Sequence, residues 1–173
     1  MSRIIRHRAV VQDNWQLLEQ DRAGSLPFAG DVIVPAALWM RERAALSFRL
    51  GRIGLWLDTN ADPGPLAPDL PRFGVIAVRF ASATDGRGYT LARLLRERHA
   101  YRGELRAIGE VLHDQLFYLW RCGFDAFALR ADQDAQQALA AFDAFSEAYQ
   151  GSVERPEPLF RRRAQSKAPQ RPA

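Results

Sequence analysis

Five apolar runs punctuate the chain at residues 32–34, 53–58, 75–80, 104–109 and 124–129, each short and tightly bounded enough to be a strand. Between them the apolar positions change rhythm. Residues 36–50 carry Leu38, Ala45, Leu46 and Leu50 at helical spacing before Gly51. Residues 89–99 gather Leu91, Ala92, Leu94 and Leu95 on one face, with Arg93, Arg96 and Glu97 mostly off it. Residues 111–121 carry Leu112, Leu116, Leu119 and Trp120 and stop at Gly123, a residue suited to a left-handed cap. A further helix is expected over 133–142, and 145–153 reads almost equally as an edge strand or a continued helix. Prolines in 61–71 restrict that stretch to a loop with one helical turn. Near the N-terminus, apolar runs within 4–18 flank Gln12-Asp13-Asn14, which predicts a β-hairpin turning there.

Strands alternating with helices over short connections imply parallel strands joined by right-handed crossovers. The expected fold class is therefore α/β: a five-stranded, mainly parallel sheet or partial barrel with βα repeats and an N-terminal β-hairpin. Five strands are too few for a closed barrel of about eight, and of the remaining choices an open doubly wound sheet is preferred. In either architecture the carboxyl ends of the strands form one rim, which would collect Asp58, the 84–88 loop, Gly109, Glu110, Arg130 and Asp132. An exposed sheet edge would invite pairing with a second copy as a homodimer.

Charge changes the picture only once it is located. The chain has 173 residues and a formal net charge of +4, which would ordinarily raise nucleic acid as a partner. Residues 154–173 hold six basic side chains (Arg155, Arg161, Arg162, Arg163, Lys167 and Arg171) against Glu154 and Glu157. The remaining 1–153 then carries 18 charges of each sign. One α/β domain over 1–153 followed by a basic, disordered tail over 154–173 is the expected organisation. No basic and aromatic interleaving marks a nucleic-acid surface. No apolar run approaches a membrane span, and no signal core precedes the first strand, so a cytoplasmic protein without a membrane partner is expected. Cys122 is the single cysteine, which excludes an internal disulfide, a redox pair or a cysteine cage. A structural thiol is the expectation there.

The best candidate chemistry is Asp85-Gly86-Arg87-Gly88, ahead of a helix. Two glycines let the backbone approach a ligand, Arg87 offers a fork of donors, and the helix start adds unpaired N–H groups, so a small oxyanion would suit it. The same residues equally suit a turn with an exposed arginine. Neither a dinucleotide fingerprint nor a Walker loop is present. In the next strand, alternation puts Glu104, Arg106 and Ile108 on one face. A buried Arg106 would need a carboxylate, with Asp85, Glu110, Asp58 and Asp125 as the available partners, since breaking such a pair costs about 3–5 kcal/mol. Asp114 and Gln115 could reach the preceding loop from the following helix. His7, His99 and His113 have no metal-ligand spacing. The ligand-binding set is thus Asp85, Gly86, Arg87, Gly88, Arg106, Glu110, Asp114 and Gln115, with Arg93 as a further donor, no metal, and no assigned catalytic residue.

Residues 54–58 (Gly-Leu-Trp-Leu-Asp), Phe80, Asp85-Gly86-Arg87-Gly88-Tyr89, Ala92-Arg93-Leu94-Leu95-Arg96, Gly103-Glu104-Leu105-Arg106-Ala107, Asp114-Gln115-Leu116 and Arg121-Cys122-Gly123-Phe124-Asp125-Ala126-Phe127 together carry a resemblance. The chain resembles a bacterial family of unknown function often labelled as probable oxidoreductases involved in sulfite reduction, because the genes commonly neighbour those for sulfite reductase and phosphoadenylyl-sulfate reductase. Glu110, where an aspartate is more usual, and His113, where an arginine is, depart slightly from its pattern. The resemblance implies a place in sulfur assimilation and brings no catalytic residues with it. It implies first a protein that binds sulfite or a sulfated nucleotide. A second implication is a non-catalytic partner of sulfite reductase or its electron donor, to which the seven arginines from Arg79 to Arg106 against three acids would also suit. A flavin or nicotinamide oxidoreductase is the third, and no motif for either cofactor is evident.

Overall fold

The computed structural model describes residues 3–19, 27 and 29–166. Its frame is one eight-stranded sheet in the order β2-β1-β8-β7-β6-β5-β4-β3. The strands are β1 (Arg3–Arg6), β2 (Ala9–Gln12), β3 (Gln16–Leu17), β4 (Val32–Pro35), β5 (Ile53–Asp58), β6 (Val75–Phe80), β7 (Glu104–Gly109) and β8 (Ala126–Phe127). From β3 to β8 every pairing is parallel, and β1 joins β8 and β2 antiparallel. The helices are α1 (Ala36–Ser47), α2 (Arg87–Arg93), which continues into a wider π turn over Leu94–Arg98, α3 (Leu116–Arg121), α4 (Ala135–Ala138) and α5 (Leu159–Ser166).

The expected five-stranded sheet is therefore too small and too uniform: the sheet is larger and mixed. Nor is it doubly wound. Strands β3 to β8 are laid down in sequence order, so every right-handed crossover steps the same way and places its helix on the same face. Leu38, Trp39 and Leu46 of α1, Leu91, Ala92 and Leu95 beyond β6, and Leu116 and Leu119 of α3 all join one core with Ile76, Val78, Leu105 and Ala107 from the sheet.

The other face is concave, for a geometric reason. Gln12 lies on one edge of the sheet and Gln16 on the opposite edge, with three residues between them. Eight flat strands at about 4.8 Å spacing would put those edges roughly 34 Å apart, whereas four residue steps reach about 14 Å at most. The sheet has to curl, and it forms a half-barrel. Its inside holds a second cluster of Ile33, Trp56, Val75, Ala77 and Ile108, against which Trp15 from the connecting segment packs.

That segment is the predicted hairpin turn, and it is not a turn. The hairpin closes instead at His7 and Arg8, with φ of 48° and 64°. Two-residue hairpins want such angles, usually from Asn or Gly, and His-Arg carries no such signature. The expected helix over 111–121 is shortened to a 3₁₀ turn plus α3, and 133–142 divides into α4 and a 3₁₀ turn over Leu139–Asp143. Residues 145–153 form neither strand nor helix. Within the stretch read as a disordered tail, Leu159–Ser166 is helical, and Arg162 pairs with Glu147 at 2.6 Å. Residues 167–173 lie outside the described residues. No helix among the described residues is long and apolar enough to cross a membrane.

Candidate functional site

The carboxyl rim gathers the predicted residues around β5, β6, β7 and β8, and spends their charges on one another. Asp85, after β6, accepts from Arg87 Nε at 2.9 Å and Nη2 at 2.8 Å and from the Thr59 hydroxyl beyond β5. Those donors, led by Arg87, hold the Asp85 carboxyl well below the usual carboxylate range. Glu110, after β7, pairs at 3.1 Å with Arg130, which also forks onto Asp132 at 2.7 Å. The fork pulls Asp132 down to about 2. Arg79 lies over the Trp56 ring at 4.1 Å and pairs with Asp58 and Glu19. Three arginines thus face five carboxylates in the rim's ion pairs.

The two glycines of the loop do different things. A Cβ on Gly86 would meet nothing within 4 Å, but one on Gly88 would come within 2.4 Å of the Phe80 ring. Gly88 lets α2 pack on β6. Gln115 is a brace: its amide donates to the Ala83 carbonyl and its oxygen accepts from Leu112 N, which ties the loop after β6 to the loop after β7. His113 bonds Gln133 at 2.7 Å, and Asp114 is exposed.

Arg106 does not join the rim. It is aligned with Ala77 and Ala126 in mid-sheet, buried on the concave face. Its Nη1 donates to Asp13 at 2.9 Å and its Nε to Glu104 at 2.7 Å. None of the four carboxylates proposed from sequence is its partner. Both partners lie toward the amino ends of the strands, so the chain's curl, which carries Asp13 across the barrel, decides the pairing. Asp85, Arg87, Arg106 and Glu110 therefore form three separate ion-pair systems.

A second concave site lies outside the rim, between α3, the 3₁₀ turn that follows α4, and residues 145–155. Phe117, Trp120, Phe142 and Phe145 wall a cavity of about 370 Å³. Arg8, Arg121 and Arg155 line it with the carboxylates Asp143 and Glu154. The Arg8 guanidinium lies 5.6 Å from the Trp120 ring and 5.4 Å from Phe142 and bonds Asp143. Arg121 lies over Phe117 at 5.8 Å and, among the described residues, donates only to the Gln150 carbonyl, at 2.7 Å. Among the described residues it has no carboxylate partner.

Residues 54–160, from β5 through the cavity wall to α5, match the model of a family described as bacterial proteins of unknown function, DUF934. The chain belongs to this family. No curated protein and no solved structure matches it. Of the rim's ion-paired residues the family stretch lacks only Glu19, and of the cavity's lining it lacks only Arg8.

Several residues quoted for the resemblance meet in one structural knot. Arg96 donates to the carbonyls of Gly123, Tyr101 and Gly103 at 2.8–2.9 Å and to Asp125 Oδ2 at 2.7 Å, while Asp125 Oδ1 accepts from Leu105 N. Gly123 has φ of 106°, and a Cβ there would strike Arg96 Cγ at 2.7 Å. This knot pins the amino ends of β7 and β8. Arg93 is taken up by Glu97 on its own helical face. Burial pushes the Cys122 thiol up. No group of His, Cys, Asp and Glu among the described residues could hold a metal ion.

The sequence reading missed the cavity because its lining comes from residue 8, from 117–121, from 142–146 and from residues around 150–155. The one local signal was Phe117, Trp120 and Arg121 at helical spacing, which reads as ordinary amphipathicity.

Proposed function

We propose that the protein is an accessory of sulfite reduction that binds an oxyanion-bearing ligand, and that the anion seats against Arg121 in the aromatic cavity rather than on the rim. The balance of charge carries this reading. Rim arginines are outnumbered by their own carboxylates, so an arriving anion would have to displace one and meet the rest. In the cavity Arg8 is paired with Asp143 and Arg155 with Glu147, which leaves Arg121 as the lining arginine with donors to spare and no carboxylate on it among the described residues. A guanidinium with free N–H groups beside apolar walls is a strong oxyanion receptor, because low local dielectric favours charge-assisted bonds. The link to sulfite reduction rests on the sequence resemblance alone. Calorimetric titration with sulfite, sulfate and phosphate tests the reading: binding near millimolar that disappears in Arg121→Ala supports it, and no binding by the wild type removes it.

A second reading, docking on sulfite reductase or its electron donor, is favoured by exposed aromatics beside arginines. Tyr149 and Phe160 stack at 6.3 Å and are more than half exposed, with Arg161 over Phe160. Aromatic and arginine side chains are the residues enriched in interfaces. A pull-down from cells grown on sulfate that brings no reductase component would oppose it, and capture unaffected by changing both aromatics to alanine would oppose this surface.

A further inference from the structure

We infer that the anion on Arg121 belongs to a small zwitterion, an amino-acid-like molecule whose acid group meets Arg121 and whose ammonium group meets Glu154 in the same cavity. The inference rests on the anion-binding reading above and adds the cationic group. Five charged side chains line the cavity: Arg8, Arg121, Arg155, Asp143 and Glu154. Arg8 is spent on Asp143, and Arg155 on Glu147 at 3.3 Å. Arg121 and Glu154 are left over, one of each sign, and among the described residues neither has an ion-pair partner.

The two are held close by the backbone without pairing. Val153 donates its amide to the Arg121 carbonyl at 3.1 Å, and Glu154 follows Val153 directly, so one main-chain bond fixes both residues in the cavity wall. Arg121 is held further by the Gln150 carbonyl at 2.7 Å, and the turn that carries Glu154 is closed from Ser152 N to Arg155 O at 2.8 Å. A guanidinium and a carboxylate that face one space and do not neutralise each other form a receptor for two charges. A bare oxyanion satisfies only half of it, because it would bind Arg121 with the Glu154 charge uncompensated in the same cavity. An amine alone has the opposite fault. A zwitterion answers both side chains at once.

Size narrows the class. At about 370 Å³ the cavity sits near the lower end of the range of about 300–1,000 Å³ for small-molecule sites. Phe145 lines it with 53% of its surface exposed, which gives a short apolar side chain something to cover. A branched aliphatic amino acid combines these properties: two opposite charges on one carbon and a compact apolar body.

Calorimetry of the full chain with leucine, with 4-methylpentanoate (leucine without its amine), with 3-methylbutylamine (leucine without its carboxylate) and with sulfate tests the inference, in wild type, Arg121→Gln and Glu154→Gln. Neither substitution removes the Val153 bond, which uses the Arg121 main chain. Leucine should bind roughly tenfold or more tighter than either truncated analogue, since each loses one charge-assisted contact. Glu154→Gln should weaken leucine to the level of 4-methylpentanoate and strengthen sulfate, whereas Arg121→Gln should weaken leucine, 4-methylpentanoate and sulfate. Leucine binding no tighter than 4-methylpentanoate overturns the zwitterion, and sulfate binding that still requires Arg121 then leaves the anion reading standing. Leucine affinity unchanged by Glu154→Gln overturns the inference, as does a loss of leucine and sulfate together in that variant, which would show Glu154 to be structural. No binding of any of the four overturns both readings.

Discussion

Asp13 and Arg106, 93 positions apart in sequence, meet at 2.9 Å inside the curled sheet with both side chains almost wholly buried. Their pairing is a direct result of the connector that crosses from β2 to β3. Breaking a buried ion pair leaves an uncompensated charge at a cost of about 3–5 kcal/mol, and here Glu104 remains on Arg106 to soften it. Asp13→Ala should lower stability in urea by about 3 kcal/mol. Adding Arg106→Met should recover part of that loss, because the stranded charge goes with it and Glu104 keeps Arg6 at 3.7 Å. A double variant no more stable than Asp13→Ala would show that the pair is not the reason for the loss.

Gly86 and Gly88 provide a matched pair of tests. With open space at its Cβ and ordinary φ, Gly86→Ala should leave thermal stability unchanged or raise it by about 0.4–1 kcal/mol. Gly88→Ala drives a methyl into the Phe80 ring and should cost about 1–3 kcal/mol. Equal effects at the two positions would contradict the packing role assigned to Gly88.

Arg96→Lys should destabilise far more than an exposed Arg-to-Lys change. Lysine cannot reach three carbonyls and Asp125 at once, and half-satisfied buried acceptors cost about 1–3 kcal/mol each. A loss of about 3 kcal/mol or more is expected in chemical denaturation. Hydrogen exchange should show the loosening first at Leu105, whose amide is held by Asp125.

Acid should lower stability in part through the rim, alongside Asp31 and Glu147, whose carboxyls are likewise held down by arginines. Asp85 and Asp132 both have folded values below the ordinary 3.8. A carboxyl depressed in the folded state contributes stability that is complete above its unfolded value and is lost as pH falls through its folded one. The decline should therefore run from about pH 4 to pH 2. Burial pushes Asp125 the other way, so its share opposes the decline. Asp85→Asn should flatten the slope in a pH series of denaturation midpoints, and an unchanged slope would remove Asp85 from the account.

Much of the fold was legible as pattern. Central strands such as Val75–Phe80 are buried on the helix face and half-buried or better on the other, so their apolar runs announced them. Short β3 was not, because two residues of edge pairing leave almost no pattern, and the His7–Arg8 turn was not, because His-Arg lacks the Asn or Gly that marks a two-residue hairpin with positive φ. The rim residues were placed on the correct strand ends because parallel topology puts all carboxyl ends together. Which carboxylate each arginine takes was not legible, since ion pairing depends on distances of a few ångströms set by curl and register.

Sequence by itself determined the α/β class, the parallel strands and the strand-end positions of Asp85, Glu110 and Arg130, because local period and cap chemistry encode all of these. Only the tertiary structure decided that the sheet curls, that Arg106 turns inward to Asp13 while the rim neutralises itself, and that four aromatic rings and three arginines from distant segments enclose a cavity. The physical reason is one of range. Periodicity acts between neighbours along the chain, whereas the three-residue link from Gln12 to Gln16 acts between the two edges of the sheet and sets everything that lies between them.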